Sequence, residues 1–307
     1  MNNRKLLDYI IITLKGMAMG AADVVPGVSG GTIAFISGIY EELLDSINAV
    51  NFSLIGVLKE DGIKGVWKKV NGNFLLALGL GIGISVVSLA KSLSWLLEHK
   101  PILLWSFFFG LVLASILFVG KQIKTWNFKT ILALIVGIVV AYLITKMPPS
   151  AGANPSSLYL ILSGALAISA MILPGISGAF ILVLLGVYHV VLNAVHQRDF
   201  YIIAMVGIGA IVGLLSFARF LKYVFLHFRN TTLAILTGFI IGALGKIWPW
   251  KKVLETVVIG EKEWALKEEN ISPFQYVGDN QLVYAVALAF VGFLLILVLE
   301  KWGKSRT

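Results

Sequence analysis

The chain has 307 residues, of which 58% are hydrophobic and 13% are charged, and its mean hydropathy is +0.89. An ordinary soluble domain carries about 25% charged residues, so this composition indicates an integral membrane protein. The chain has no cysteine and only four scattered histidines, which excludes disulfides, thiolate catalysis and a metal site of cysteine or histidine ligands. We expect no cofactor. The net charge of +9 is expected to set membrane orientation and not to bind nucleic acid.

The N-terminal segment is similar to a secretory signal, because Arg4 and Lys5 precede an apolar run and a stretch of small residues. Asp8 and Lys15 interrupt the apolar run, and the same segment recurs in the second half of the chain. We therefore interpret the segment as retained in the mature protein.

The first apolar run, residues 6–24, approaches the length of about 20 apolar residues that a membrane span needs. We nevertheless do not interpret it as an independent span. A glycine-rich break follows it at once, and the next apolar run ends at Glu41. Two short helices around an irregular tip are typical of a re-entrant hairpin, whose tip must be covered by protein or line a watery cavity. The pattern predicts such a hairpin over residues 6–45.

Six further apolar runs are long enough to cross a bilayer, and they fall into two groups of three. These predicted spans are residues 73–97, 102–120 and 128–146, then residues 200–226, 231–247 and 280–300. A second re-entrant hairpin is predicted over residues 157–193, and a loop rich in Pro and Gly separates a first unit, 1–150, from a second, 151–307. Residues 52–70 are expected at the membrane interface, and residues 248–279 form the longest polar segment.

A proline–glycine motif occurs twice, because Pro26-Gly27-Val28-Ser29-Gly30 is followed 148 residues later by Pro174-Gly175-Ile176-Ser177-Gly178. Other identities at this offset are Gly16, Gly38 and Tyr40, which recur as Gly164, Gly186 and Tyr188. After a shift of 20 residues the matches resume with Gly81 and Gly110, which recur as Gly209 and Gly238. This self-similarity indicates a duplicated unit.

The distribution of basic residues predicts the topology. If each hairpin returns to its own side, one face carries 15 Lys and Arg and the other 7, with Lys15, Lys91 and Lys246 inside apolar segments. The positive-inside rule then places both termini in the cytoplasm. Each half crosses the membrane three times, so the halves are inverted. The expected fold class is an all-α integral membrane protein of two inverted repeats, each one re-entrant hairpin plus three transmembrane helices, as in secondary transporters.

The two motifs are candidate anion sites, because small residues just before a helix leave backbone N–H groups accessible to a ligand. The candidate phosphate ligands are Gly27, Ser29, Gly30, Gly31 and Thr32 in the first copy and Gly175, Ser177 and Gly178 in the second. The alternative is that Pro and Gly make a tight turn while the serines cap helices. Duplication of the motif favours a binding site.

Four ionisable residues in apolar segments are further candidates, since charges at membrane depth are costly. Lys91 and Arg219 occupy equivalent positions, and we interpret them as ligands of a phosphate or carboxylate, with snorkelling to the interface as the alternative. Asp23 precedes the first motif and has Met171 as its counterpart. Asp23 is expected either to pair with Lys15, Lys91 or Arg219 or to bind a coupling ion.

The run from Gly16 to Thr32, with Gly38-Ile39-Tyr40-Glu41 after it and Leu173-Pro174-Gly175-Ile176-Ser177-Gly178 later, resembles the PopT-type undecaprenyl-phosphate translocases. The resemblance covers essentially the whole chain. It implies a transporter in the bacterial cytoplasmic membrane that returns undecaprenyl phosphate, the lipid carrier of wall-polymer precursors, from the outer to the inner leaflet. The partners that it implies are this lipid and the surrounding membrane lipids. The oligomeric state is left open, with a homo-oligomer as one alternative.

Two other functions compete with this one. An undecaprenyl-pyrophosphate phosphatase also has inverted repeats and a Pro-Gly-x-Ser motif, but its motif continues with Arg where this chain has Gly30 and Gly178. Near the motifs Asp23 is the one acidic residue, so the general acid or metal-holding carboxylate pair of a phosphatase is missing. A small-anion transporter would use the same site without a lipid. We therefore expect a non-enzymatic protein.

Overall fold

The structure is a computed structural model, and it describes residues 4–24, 28–147, 155–259 and 262–304. Within these ranges, side chains are not described at residues 90, 91, 94, 196, 256–259, 262–267 and 299–304. Pro26, Gly27 and the side chain of Lys91, which carry sequence-based predictions, therefore lie outside the described part.

The described part of the first half forms seven helices, which are α1 (Leu6–Val24), α2 (Gly30–Ile36), α3 (Tyr40–Asn48), α4 (Ser53–Lys69), α5 (Gly72–His99), α6 (Pro101–Gly120) and α7 (Phe128–Lys146). Helix α4 covers the segment expected at the interface, has no buried residue and bends at Gly62, whose φ is 63°. Its amphipathic composition agrees with an interfacial position, which stays a prediction.

The second half contains α8 (Ser157–Ile172), α9 (Gly178–Leu184), α10 (Tyr188–Gln197), α11 (Phe200–His227), α12 (Arg229–Ala243) and α13 (Leu282–Lys304). A 3-10 helix, Leu244–Ile247, extends α12. Among the described residues, five helices are long and apolar enough to cross a membrane, namely α5, α6, α7, α11 and α12 with its extension. The chain is thus a largely helical, multi-pass membrane protein.

Each predicted hairpin contains one helix more than expected. A break separates α2 from α3, and the same break separates α9 from α10, where the two helix axes differ by 113°. The recurring Gly38 and Gly186 lie at these breaks with φ of 73° and 70°, a left-handed conformation that favours glycine. These two identities therefore reflect a turn that both halves share.

The polar segment after α12 contains an antiparallel β-hairpin that the sequence analysis did not predict. Strand β1 (Lys251–Ile259) pairs with β2 (Lys262–Asn270), with Lys251 opposite Asn270. Trp250, at the start of the hairpin, is buried and donates its indole N–H to the carbonyl of Asn280, 2.9 Å away. The hairpin is thereby attached to the segment that enters α13.

The helices pack in pairs, and the pairing in one half has a counterpart in the other. Helix α1 packs along α5 as α8 packs along α11, while α6 packs on α13 as α12 packs on α7. Recurring glycines lie at these crossings. A Cβ on Gly81 would overlap the carbonyl of Thr13, and one on Gly209 would overlap that of Ile161. Small residues at such crossings let two helix backbones approach closely.

The polar contacts divide the bundle into two ends. We call one the basic end; it joins the N-terminal residues, α3 and the start of α12, as in the contacts Arg4–Glu42 and Arg229–Glu41. We call the other the hairpin end, where Lys251 of β1 lies 4.6 Å from the ring of Trp105 at the start of α6. Burial lowers the pKa of Lys251, and the carboxylate of Glu268 opposes this shift.

Candidate functional site

The two glycine motifs meet inside the bundle, although 148 residues separate them in sequence. We call residues 28–32 tip 1 and residues 171–178 tip 2. The amide of Gly175 donates to the hydroxyl of Thr32 at 2.9 Å. The hydroxyl of Ser29 lies 3.2 Å from the carbonyl oxygen of Met171 and 3.3 Å from that of Leu173. The tips are therefore joined by direct hydrogen bonds.

Tyr40 contributes a further contact between the tips that the sequence analysis missed. Its hydroxyl donates to the carbonyl of Ile172 at 3.1 Å, and its ring packs against Phe35 and Phe225. The residue is only 2% exposed. Its recurrence as Tyr188 was the available signal that Tyr40 belongs to the motif.

At tip 1, the protein's own groups occupy the amides at the start of α2. The amide of Gly30 donates to Oδ1 of Asp23 at 2.7 Å, and the amide of Gly31 donates to the Ser29 hydroxyl at 3.1 Å. The amide of Thr32 donates to the Ser29 carbonyl at 3.0 Å. In this conformation Asp23 supplies the negative charge that the start of a helix favours, and Ser29 caps the helix as the alternative interpretation expected.

The expected ion pair of Asp23 with Lys15 is not formed. Lys15 instead donates to the carbonyl of Ser37 at 2.6 Å. Ser37 follows the last residue of α2. Arg219, another candidate partner, is exposed and donates to the carbonyl of Val50 at 3.3 Å. The side chain of Lys91 lies outside the described residues. Arg219 thus lies at the basic end and is not gathered with the tips.

Tip 2 differs from tip 1 in its hydrogen bonding. Ser177 makes no capping hydrogen bond to α9, and in the described part of the chain its hydroxyl has no partner. Met171 takes the position of Asp23, so this position supplies no carboxylate to the start of α9. The carbonyl of Ser177 accepts from Ile181 only, which leaves the amides of Gly178, Ala179 and Phe180 without a partner among the described residues.

A small cavity adjoins tip 2 on the side of the hairpin end. Gly175, Ser177 and Phe180 line one wall, while Thr145 at the end of α7 and Lys246 of the 3-10 helix line the other. Lys246 lies within the predicted span 231–247 and was not among the predicted site residues. A lysine and the hydroxyl residue Ser177 therefore line the same cavity.

The glycines of the tips lie where no side chain fits. A Cβ on Gly30 would overlap the carboxylate of Asp23, and a Cβ on Gly31 would lie 2.6 Å from the carbonyl oxygen of Ile172. A Cβ on Gly178 would lie 2.5 Å from the carbonyl oxygen of Ala167. Gly175 has a φ of 87°, a conformation that favours glycine. In this conformation the glycines allow close packing of the tips.

Helix α3 carries an acidic cluster at the basic end that the sequence analysis did not single out. Glu42 forms a two-point ion pair with Arg4 at 2.6 and 2.7 Å and accepts from Asn71. Toward the second half of the chain, the ion pairs are Glu41 with Arg229 at 2.7 Å and Asp45 with Lys222 at 2.9 Å. Helix α10, the counterpart of α3, contains no acidic residue.

Comparison with known proteins agrees with these features. A family model described as VCA0040-like, undecaprenyl phosphate translocase-like, matches residues 19–263. A polyprenyl-phosphate transporter of Vibrio cholerae serotype O1 is 46% identical over 306 residues, which cover 98% of this chain and 99% of the relative. A polyprenyl-phosphate transporter of Staphylococcus aureus is 32% identical over 256 residues, covering 77% and 85%. No solved structure matches the chain significantly. The chain belongs to the undecaprenyl phosphate translocase-like family.

Proposed function

We propose that this protein transports a polyprenyl phosphate, and that it returns undecaprenyl phosphate from the outer to the inner leaflet for reuse in cell-wall polymer synthesis. The names of the two relatives and the family description support the substrate class. The observation that carries the proposal is the meeting of two glycine tips inside the bundle, with unpaired amides at the start of α9. Such amides suit the oxygen atoms of a phosphate.

The proposed architecture is two inverted repeats, residues 1–150 and 151–307. Helix packing between the halves supports this architecture. Helix α6 of the first half packs on α13 of the second, and in the same way α12 of the second half packs on α7 of the first. Inverted repeats are typical of transporters in which one half rocks against the other around a site between them. The meeting of tip 1 with tip 2 is what this architecture requires at its centre.

The proposed location is the bacterial cytoplasmic membrane, with both termini in the cytoplasm. The 15 to 7 split of basic residues supports this orientation. The basic end is then cytoplasmic and the hairpin end faces outward. Transport from the outer to the inner leaflet would accordingly load the phosphate at the hairpin end and release it at the basic end.

We propose that the structure corresponds to a state closed at the basic end. Helix α3 packs across the halves on α11, whereas its counterpart α10 packs within its own half. Exposed ion pairs contribute about 0.2–1 kcal/mol each. The pairs Glu41–Arg229 and Asp45–Lys222 are half-exposed, so together they would hold the basic end closed without locking it.

Phosphate is proposed to bind at the tips in turn. At tip 1 a phosphate must replace the carboxylate of Asp23 at the amide of Gly30, so the two anions would compete for one helix end. Asp23 would then either bind a coupling ion when displaced or serve only as a cap. Lys91 and Arg219 remain the proposed cations near the two mouths of the path.

A phosphatase and a small-anion transporter are the alternative functions, and each requires different groups at the tips. Among the described residues, no group of three His, Asp or Glu could hold a metal ion. The tips hold one described carboxylate, that of Asp23, and it caps a helix. This favours transport over hydrolysis. A carrier of small anions would use the same tips, and only the choice of substrate separates it from a lipid carrier.

The test is a reconstitution of the purified full chain in liposomes with a fluorescent polyprenyl phosphate in one leaflet. The protein should speed movement of the probe to the other leaflet, read as protection from a membrane-impermeant quencher. It should release no inorganic phosphate from undecaprenyl pyrophosphate. Phosphate release that Ser29→Ala abolishes would instead identify a phosphatase, and absence of probe movement would contradict the proposal.

A further inference from the structure

Lys246 has no strong ion-pair partner of its own. Its Nζ lies 4.0 Å from Oε2 of Glu268, at the limit of an ion pair, and 4.9 Å from the centre of the Phe180 ring. The same carboxylate oxygen accepts from Lys251 at 3.1 Å, and Lys251 also donates to the backbone carbonyl of Lys246. Two lysines therefore share one carboxylate, which leaves a net positive charge beside tip 2.

Ser177 faces the same cavity with an unused hydroxyl. The residue is 8% exposed, and in the described part of the chain no group accepts from or donates to its side chain. Its counterpart Ser29 uses its hydroxyl both to cap α2 and to join the tips. The Ser177 hydroxyl is therefore available to a ligand in the cavity that this residue lines.

The charge near tip 2 is particular to the second half of the chain. At the offset of 128 residues that relates Gly110 to Gly238, the counterpart of Lys246 is Phe118. Asp23 faces α2 at tip 1, whereas Met171 takes its position at tip 2. Tip 1 therefore has a carboxylate at the start of its helix, whereas the cation beside tip 2 shares the Glu268 carboxylate with Lys251.

We propose that Lys246 and Ser177 bind a phosphate monoester that enters from the hairpin end. The ammonium of Lys246 would neutralise the anion, while the Ser177 hydroxyl would contact one of its oxygens. This inference rests on the proposed function and names the site where the lipid headgroup is first bound. Free inorganic phosphate has the same chemistry, so the test separates the two sources.

The test uses the purified full chain in nanodiscs and measures the equilibrium affinity for undecaprenyl phosphate. Hydrogen bonds to charged groups are among the stronger ones, so Lys246→Gln should weaken binding about tenfold to a hundredfold. Lys246→Arg should bind within a few-fold of the parent. Lys252→Gln, an exposed lysine of β1, is the matched control for loss of one charge and should bind like the parent.

Ser177→Ala provides a second variant that changes no charge, and it should weaken binding several-fold. It decides the outcome if Lys246→Gln lowers the thermal stability of the protein. Parent-like binding by Lys246→Gln and Ser177→Ala would overturn the inference, and so would equal losses in Lys246→Gln and Lys252→Gln.

Failure of the parent to bind undecaprenyl phosphate would instead overturn the proposed function. Competition by inorganic phosphate identifies the source of the ligand. Displacement of the lipid only at a large excess of inorganic phosphate supports a headgroup site. Equal potency of the two would overturn the lipid assignment.

Discussion

The hydrogen bond between Thr32 and Gly175 offers a direct test of how the tips are held together. Thr32 is 2% exposed, and its hydroxyl accepts the Gly175 amide at 2.9 Å. Thr32→Val keeps nearly the same shape but removes the acceptor, which leaves the amide unpaired. An unsatisfied buried donor costs about 1–3 kcal/mol. At 1.36 kcal/mol per factor of ten, this shifts the equilibrium toward separated tips by about 5- to 150-fold.

Amide hydrogen exchange of peptides that cover tip 2 measures this shift, because exchange of a protected amide follows the local opening equilibrium. The Gly175 amide should exchange about 5 to 150 times faster in Thr32→Val. Thr32→Ser is the matched control: it keeps the hydroxyl and loses one methyl group, at a cost of about 0.8 kcal/mol. We therefore expect Thr32→Ser to behave like the parent at this amide.

Two outcomes would refute the reasoning. If exchange at tip 2 were unchanged in Thr32→Val, this hydrogen bond would not join the tips. If Thr32→Ser and Thr32→Val were equally fast, the effect would come from lost packing and not from the lost acceptor. Transport by Thr32→Val should fall in the liposome assay, since the joined tips are proposed as one state of the cycle.

Two further predictions concern the glycine of tip 1 and the orientation. Gly30→Leu should abolish transport while membrane insertion stays normal, because any side chain there overlaps the carboxylate of Asp23; lipid movement at the parental rate would contradict the role of the tip. An impermeant thiol reagent added to intact cells should label a single cysteine at Val277 but not one at Phe52, although these positions are 93% and 88% exposed, and the Phe52 site should react only after lysis. The chain has no cysteine of its own, so labelling of both from one side would disprove the proposed topology.

The helical character and the membrane location follow from the sequence, because both depend on local composition. A run of about 20 apolar residues must form a helix in a bilayer, since no water satisfies its backbone groups. Helix α7 occupies residues 128–146, the same range as the apolar run. The repeat was also visible in the sequence, since glycines at helix crossings and turns recur wherever the same backbone contact recurs.

The β-hairpin is the element that the local sequence pattern did not predict. Its strands contain valines and charged residues in a segment that was interpreted only as polar. The signal was present in the β-branched residues of β1, but charge content outweighed it. The tryptophan contacts that attach the hairpin to the bundle depend on the positions of α6 and α13, which sequence pattern does not give.

The pairing of polar groups at the tips was decided by tertiary structure alone. Sequence identified Ser29, Thr32 and Ser177 as hydroxyl residues of the two binding motifs, but it gave no sign that the first two bond across to tip 2 while the third has no partner among the described residues. Such bonds join residues more than 140 positions apart, so they depend on how the two halves are placed against each other. Local sequence determines which segments form helices in the membrane. The packing of those helices determines which amides and hydroxyls remain unpaired, and therefore where an anion can bind.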